Sequence, residues 1–192
     1  MDEVIQEPRS VMPLRGGLAS VLSVLAGVAR LVPHPDNCTP VGAMGLFGGA
    51  RLRTWQAFAI PLLIMGVTDL ILLAWFDYQP FNVFVYASFL INVLLGRFLR
   101  NSESVVRIGG LTLLCSLQFY LLTNFGAWYR DALHTYSPDL SGLRASYVAG
   151  LPFFARTLLG DVVFSGTLFG LHAWLARTSL GRVPAKSTAI VS

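Results

Sequence analysis

The residues able to do chemistry crowd into one stretch, Pro33-His34-Pro35-Asp36-Asn37-Cys38-Thr39-Pro40. An imidazole, a carboxylate, an amide and a thiol stand within five positions of one another. The prolines exclude a regular helix, because proline lacks an N–H and restricts the residue before it. The stretch nevertheless lies between long apolar runs. Irregular polar backbone at membrane depth is tolerated only where it is buried in protein or lines a wet cavity, so it reads as the lip of a binding site. A Cys38 thiolate and a neutral His34 imidazole suit a soft or borderline transition metal. Two ligands four residues apart across prolines do not make a zinc site, so a bound metal must bring most of its coordination with it. The plainer alternative is an ordinary loop thiol beside a loop histidine.

Two carboxylates fall inside apolar segments, Asp69 and Asp161. A charged group at the centre of a bilayer costs at least about 2.5 kcal/mol unless it is paired or wet. Arg156 precedes Asp161 by a turn and a half. Two readings stay open: a structural Asp–Arg pair between helices, or Asp69 and Arg156 on the wall of a cavity, bonding a ligand's amides or phosphate. The run Thr123-Asn124-Phe125-Gly126-Ala127-Trp128-Tyr129 offers an amide among aromatic rings, and Asn82, Tyr86 and Ser88 add polar edges. Apolar and aromatic walls with a few placed polar groups are the make-up of a ligand pocket. Lipid-interface anchoring accounts for Trp128 and Tyr129, less readily for Asn124. His134 falls where it could approach the same cavity. His172 and Cys115 read as structural, Cys115 as a small buried apolar residue among leucines. No GxxxxGK[ST], GxSxG, HExxH or paired-cysteine motif occurs, so there is no nucleotide site, ordinary hydrolase or zinc peptidase.

The elements that must position these residues follow from composition. Of the residues, 54% are hydrophobic and only 12% charged, and the mean hydropathy is +0.62; a soluble domain carries about a quarter charged residues. This predicts an all-α membrane protein. The spans are expected at 17–32, 41–51, 54–76, 81–99, 106–128 and 148–175, with a polar segment at 129–147 before the last. Residues 1–16 and 176–192 are tails flanking one transmembrane domain, 17–175. The second span is short and small-residue rich, and Gly45 and Gly49 have the spacing that lets helices approach closely. The acidic start, with Asp2, Glu3 and Glu7, lacks the basic region of a signal peptide. Two cysteines do not resemble a disulfide framework.

The net charge of +4 belongs to membrane topology rather than to nucleic acid. Arg9, Arg15, Arg51, Arg53, Arg97, Arg100, Arg107, Arg177, Arg182 and Lys186 fall on one side of the alternating spans, against Arg30, Arg130, Arg144 and Arg156 on the other. Ten against four places both termini in the cytoplasm. The proline-rich lip, the Asp77-Tyr78-Gln79-Pro80 turn and the 129–147 segment then face outward. No whole-chain internal repeat supports an inverted-repeat transporter.

The motifs Pro33-His34-Pro35 to Asn37, Thr39-Pro40-Val41-Gly42-Ala43, Thr123-Asn124-Phe125-Gly126 and Thr157-Leu158-Leu159-Gly160-Asp161 resemble a family of small bacterial six-span membrane proteins. That family resembles the substrate-binding S-components of energy-coupling-factor (ECF) vitamin transporters, near the solitary vitamin B12 transporters of the BtuM type. The resemblance runs from about Arg30 to Trp174. It implies a six-helix S-component-like bundle in the bacterial inner membrane, with a cavity opening outward under the 1–2, 3–4 and 5–6 connections. It implies cobalamin as the ligand, a cysteine thiolate on cobalt able to strip cyanide, and an ECF coupling module as partner. Cys38 departs from the aromatic residue expected there, and the 3–4 turn reads Pro80-Phe81 rather than offering a cysteine. His34, Asn37, Asp69, Tyr86, Asn124, Trp128 and Arg156 are the residues expected around the ligand, with Cys38 and His34 toward its metal. The small faces of spans 1 and 2 (Ala19, Ser23, Gly27; Gly45, Gly49) would meet the partner.

The leading expectation is uptake of cobalamin or a related corrinoid through an outward-facing site, with Cys38 as the residue for any decyanation. Its rivals are an S-component-like transporter of another organic nutrient and a membrane enzyme acting on a lipid-phase substrate.

Overall fold

The computed structural model describes residues 12–32, 38–76, 81–100, 102–131 and 134–178. The described chain is all-helical: α1 (Met12–Ala29), α2 (Val41–Arg51), α3 (Thr54–Phe76), α4 (Val83–Arg97), α5 (Val105–Tyr129) and α6 (Leu140–Arg177). Three helices, α3, α5 and α6, are long and apolar enough to cross a membrane. The remaining apolar helices are shorter than the roughly 20 residues a spanning helix needs. Large apolar side chains face outward along the bundle, among them Val24, Leu63, Leu113 and Val163.

At its lower end the bundle carries the 2–3 and 4–5 connections. Arg51 donates to the Leu99 and Ser102 carbonyls at 2.9 Å each, Arg97 donates to Leu52 O and Thr54 Oγ1, and Arg177 pairs with Glu103. Arg51 and Arg97 thereby occupy carbonyls at and beyond helix ends, which have no partner within the helix. The ends of α1, α3 and α5 and the starts of α4 and α6 lie at the upper end.

α2 is the axis. At 11 residues it is about 16 Å long, half the depth of a bilayer core, and Ala43 through Ala50 are all buried. Pro40 marks its start, and it stops before the extended Leu52. A Cβ on Gly49 would overlap the Val93 carbonyl, and one on Gly96 the Leu46 carbonyl. α2 and α4 therefore cross backbone to backbone. The small face of α1 is likewise filled: Ala19 and Ser23 are fully buried, and Gly27 lies against Ile64. The faces expected to meet a coupling partner are thus occupied by the chain's own helices.

The sequence places the last helix at 148, but it begins at Leu140. Asp139 caps it, accepting from the Gly142 amide at 3.0 Å and from the Ser137 and Ser141 hydroxyls. Ser141, the Gly142 amide and Ser137 hold the Asp139 carboxyl below the ordinary carboxylate range, because each donates to its charged form. Its first turns are polar, so hydropathy misses them, whereas cap chemistry does not depend on burial. The 38-residue helix is about 57 Å long and extends well past an apolar layer of about 30 Å. Pro152 interrupts its bonding ladder in the upper half, a cause of kinking. The first helix also differs: it ends at Ala29, and Arg30 to Val32 form a turn.

Candidate functional site

The upper end holds two polar centres, and the structure separates them. The first ties the end of α1 to α3 and α4. Asp69, 2% exposed, receives the Arg30 guanidinium 2.6 Å from Oδ1, the Tyr86 hydroxyl 3.0 Å from Oδ2 and the Phe81 amide at 3.3 Å. Arg30 also donates to Thr68 Oγ1 at 2.8 Å. Phe81 has a φ of 61°, the left-handed region, which a non-glycine residue adopts only where its surroundings hold it. The Asp–Arg pair between helices exists, but the arginine is Arg30, not Arg156. Asp69 and Tyr86 bond to each other and to neighbouring groups of the chain, and among the described residues they line neither of the two hollows of the second centre. Arg156 lies exposed on α6, away from Asp69.

The second centre is a crevice between the start of α2, α5 and the Pro152-containing half of α6. Its wider part, about 160 Å³, is lined by Phe119, Tyr120, Thr123, Asn124, Gly150, Phe153, Phe154 and Thr157. A smaller hollow of about 30 Å³ is lined by Thr39, Val41, Gly42, Phe119, Thr157 and Asp161. Phe119 and Thr157 belong to both. The wider part suits a single ring, since a cavity of about 150 Å³ takes benzene, and the smaller suits a water or two.

The crevice walls are fixed by contacts between α5 and α6. Tyr120 donates to Tyr147 O at 2.6 Å, Tyr147 to Leu121 O at 3.0 Å, and Ser146 to Asn124 O at 3.2 Å. Asn124 Nδ2 donates to Tyr120 O at 2.8 Å. Its amide sits over Gly150, where any Cβ would overlap it. The rings of Tyr120 and Phe154 are 4.9 Å apart.

At the floor stands Asp161, 2% exposed. Ser116 Oγ lies 2.7 Å from Oδ2, and the Ala43 amide points at the carboxylate. Oδ1 has no hydrogen-bond partner, and a Cβ on Gly42 would overlap it. α2 has no side-chain cap of its own at Pro40. A carboxylate from another helix takes that place, at the positive end of the helix dipole. Cys38 is half-buried against Gly160, its Sγ 3.2 Å from where a Cβ there would stand, and it lines neither hollow.

Of the residues expected at the site, the crevice gathers Asn124, with Cys38 beside it. Trp128 is turned to the 5–6 connection, donating to Ser137 O at 2.9 Å. His134 is exposed and lines neither hollow. His34 and Asn37 lie outside the described residues, and among the described residues no cluster of His, Cys, Asp or Glu could hold a metal ion. Phe119, Tyr120, Phe153 and Phe154 were not singled out from the sequence. Nothing in their spacing distinguishes a ring facing a crevice from one facing lipid.

The model of a family of unknown function (DUF6580) matches residues 14–185. No curated protein and no solved structure matches the chain.

Proposed function

The chain belongs to this family of unknown function, and we propose that it is a multi-pass inner-membrane protein that takes up a small organic nutrient through the crevice at its upper end. Six helices in an S-component-like bundle would cross or fill the bilayer, with both termini cytoplasmic. The observation that carries the reading is the crevice itself: aromatic walls, an amide, hydroxyls and one buried carboxylate, converging where α2 begins. The sidedness comes from charge. Arg51, Arg53, Arg97, Arg100, Arg107 and Arg177 stand at or near the lower end, and Arg30, Arg130, Arg144 and Arg156 toward the upper. Basic residues favour the cytoplasmic side, so the crevice opens outward. A half-length helix beginning against a polar hollow is also a feature of solute sites in membrane transporters.

Thr157→Trp, which fills the passage between the two hollows, tests the reading. Small molecules extracted from purified protein and read by mass spectrometry are expected to include a solute that Thr157→Trp loses. Equal recovery from both proteins would overturn the assignment.

A corrinoid is the second reading, favoured by the half-buried Cys38 thiol against Gly160. It asks for more room, because a corrinoid is larger than drug-sized ligands and these need about 300–1,000 Å³. Binding would have to part α5 from α6. Mixed with cyanocobalamin, the wild-type protein would shift the corrinoid's visible spectrum, and Cys38→Ser would abolish the shift. An unchanged spectrum with the wild type would remove this ligand.

A further inference from the structure

The crevice lining points to the charge of what it binds, and we infer, resting on the uptake reading, that its ligand is a small organic cation: a ring or short alkyl group bearing an ammonium. The carboxylate of Asp161 lines the smaller, inner hollow, and its Oδ1, beside Gly42, has no hydrogen-bond partner. Among the described residues the groups around it are the Ser116 hydroxyl of α5, Gly42 in the first turn of α2, and Thr39, Val41, Phe119 and Thr157 of the smaller hollow. None is cationic. Among the described residues the ion pairs are Arg30 with Asp69 and Arg177 with Glu103, so no arginine neutralises Asp161. The amide and hydroxyl donors hold the carboxylate in place without supplying a full positive charge. A buried carboxylate without a counter-cation is costly, and a ligand's ammonium would offset that cost.

The wider hollow adds an independent observation. Phe119, Tyr120, Phe153 and Phe154 border it, and aromatic faces attract ammonium groups, most strongly in dry sites. Thr157 and Asp161 are one turn apart on α6, about 6 Å along the axis. A ring held in the wider hollow therefore places an attached ammonium near the smaller one. The sizes match: ring-sized above, ammonium-sized below.

The test compares benzylammonium with benzyl alcohol, nearly the same shape without the charge, on the full chain in lipid nanodiscs by isothermal titration calorimetry. Benzylammonium is expected to bind saturably and at least tenfold more tightly than benzyl alcohol. Asp161→Asn should bring the two within a factor of two. Should Asp161→Asn fail to fold, the wild-type comparison still decides. Equal affinities would overturn the cation assignment and leave a ring-binding crevice, so the uptake reading would survive. No saturable binding of benzylammonium would also overturn it, and the uptake reading then stands or falls on solute recovery from Thr157→Trp.

Discussion

Arg30→Met is expected to lower the stability of the bundle by about 3–5 kcal/mol, the usual cost of removing one partner from a buried ion pair. For a chain of this size that is a fall of roughly 6–20 °C in Tm. Arg30 is 6% exposed and Asp69 2%, so water cannot replace the guanidinium. What remains on the carboxylate is the Tyr86 hydroxyl and the Phe81 amide, two donors and no cation. The double variant Arg30→Met/Asp69→Leu removes both charges and is expected to recover most of the loss, since an apolar pair of similar volume often replaces a buried ion pair at little cost. Thermal unfolding in detergent measures all three proteins. Equal losses in the single and double variants would mean that the pair contributes packing rather than charge compensation.

Gly49→Leu should be at least as damaging. Its Cβ would enter the Val93 carbonyl and approach the Gly96 Cα to 3.0 Å. Backbone cannot rotate away as a side chain can, and α2 is packed against α1, α3, α4, α5 and α6. The cost should exceed the roughly 1–3 kcal/mol typical of overpacking, because the clash is with backbone, with loss of folded protein as the plain outcome. Gly109→Ala is the control. Nothing lies within 4 Å of its Cβ position, and exchanging a helical glycine for alanine gains about 0.5–1 kcal/mol. Fluorescence-detected size exclusion of the two variants reads the difference. A well-folded Gly49→Leu protein would show that the α2–α4 crossing is looser than its backbone contact implies.

Sequence reasoning succeeded where short-range chemistry sets the structure. Pro40 and the Gly45–Gly49 spacing define α2 from Val41 to Arg51, because proline ends and glycine spacings act locally. The polar closing turn of α5 was visible for the same reason: Asn124 is out of place among leucines. It failed where the partner is distant. Asp69 demanded a cation, but nothing in the chain ties it to Arg30, 39 residues earlier, rather than to Arg156; only the packing of α1 on α3 decides. Asp161 looked like a second carboxylate in need of an arginine. It faces instead the start of α2, where backbone donors leave no residue-type signal and supply no full positive charge. The early start of α6 escaped because Asp139 and Ser141 are polar, and hydropathy reads polar residues as loop.

The account rests on the crevice facing outward. Thr135→Cys, placed in the exposed 5–6 connection in a chain with Cys38→Ser and Cys115→Ser, can be challenged in intact cells with a membrane-impermeant maleimide. Labelling is expected without permeabilisation. Labelling that appears only after the inner membrane is opened would place the crevice on the cytoplasmic side and contradict the outward assignment.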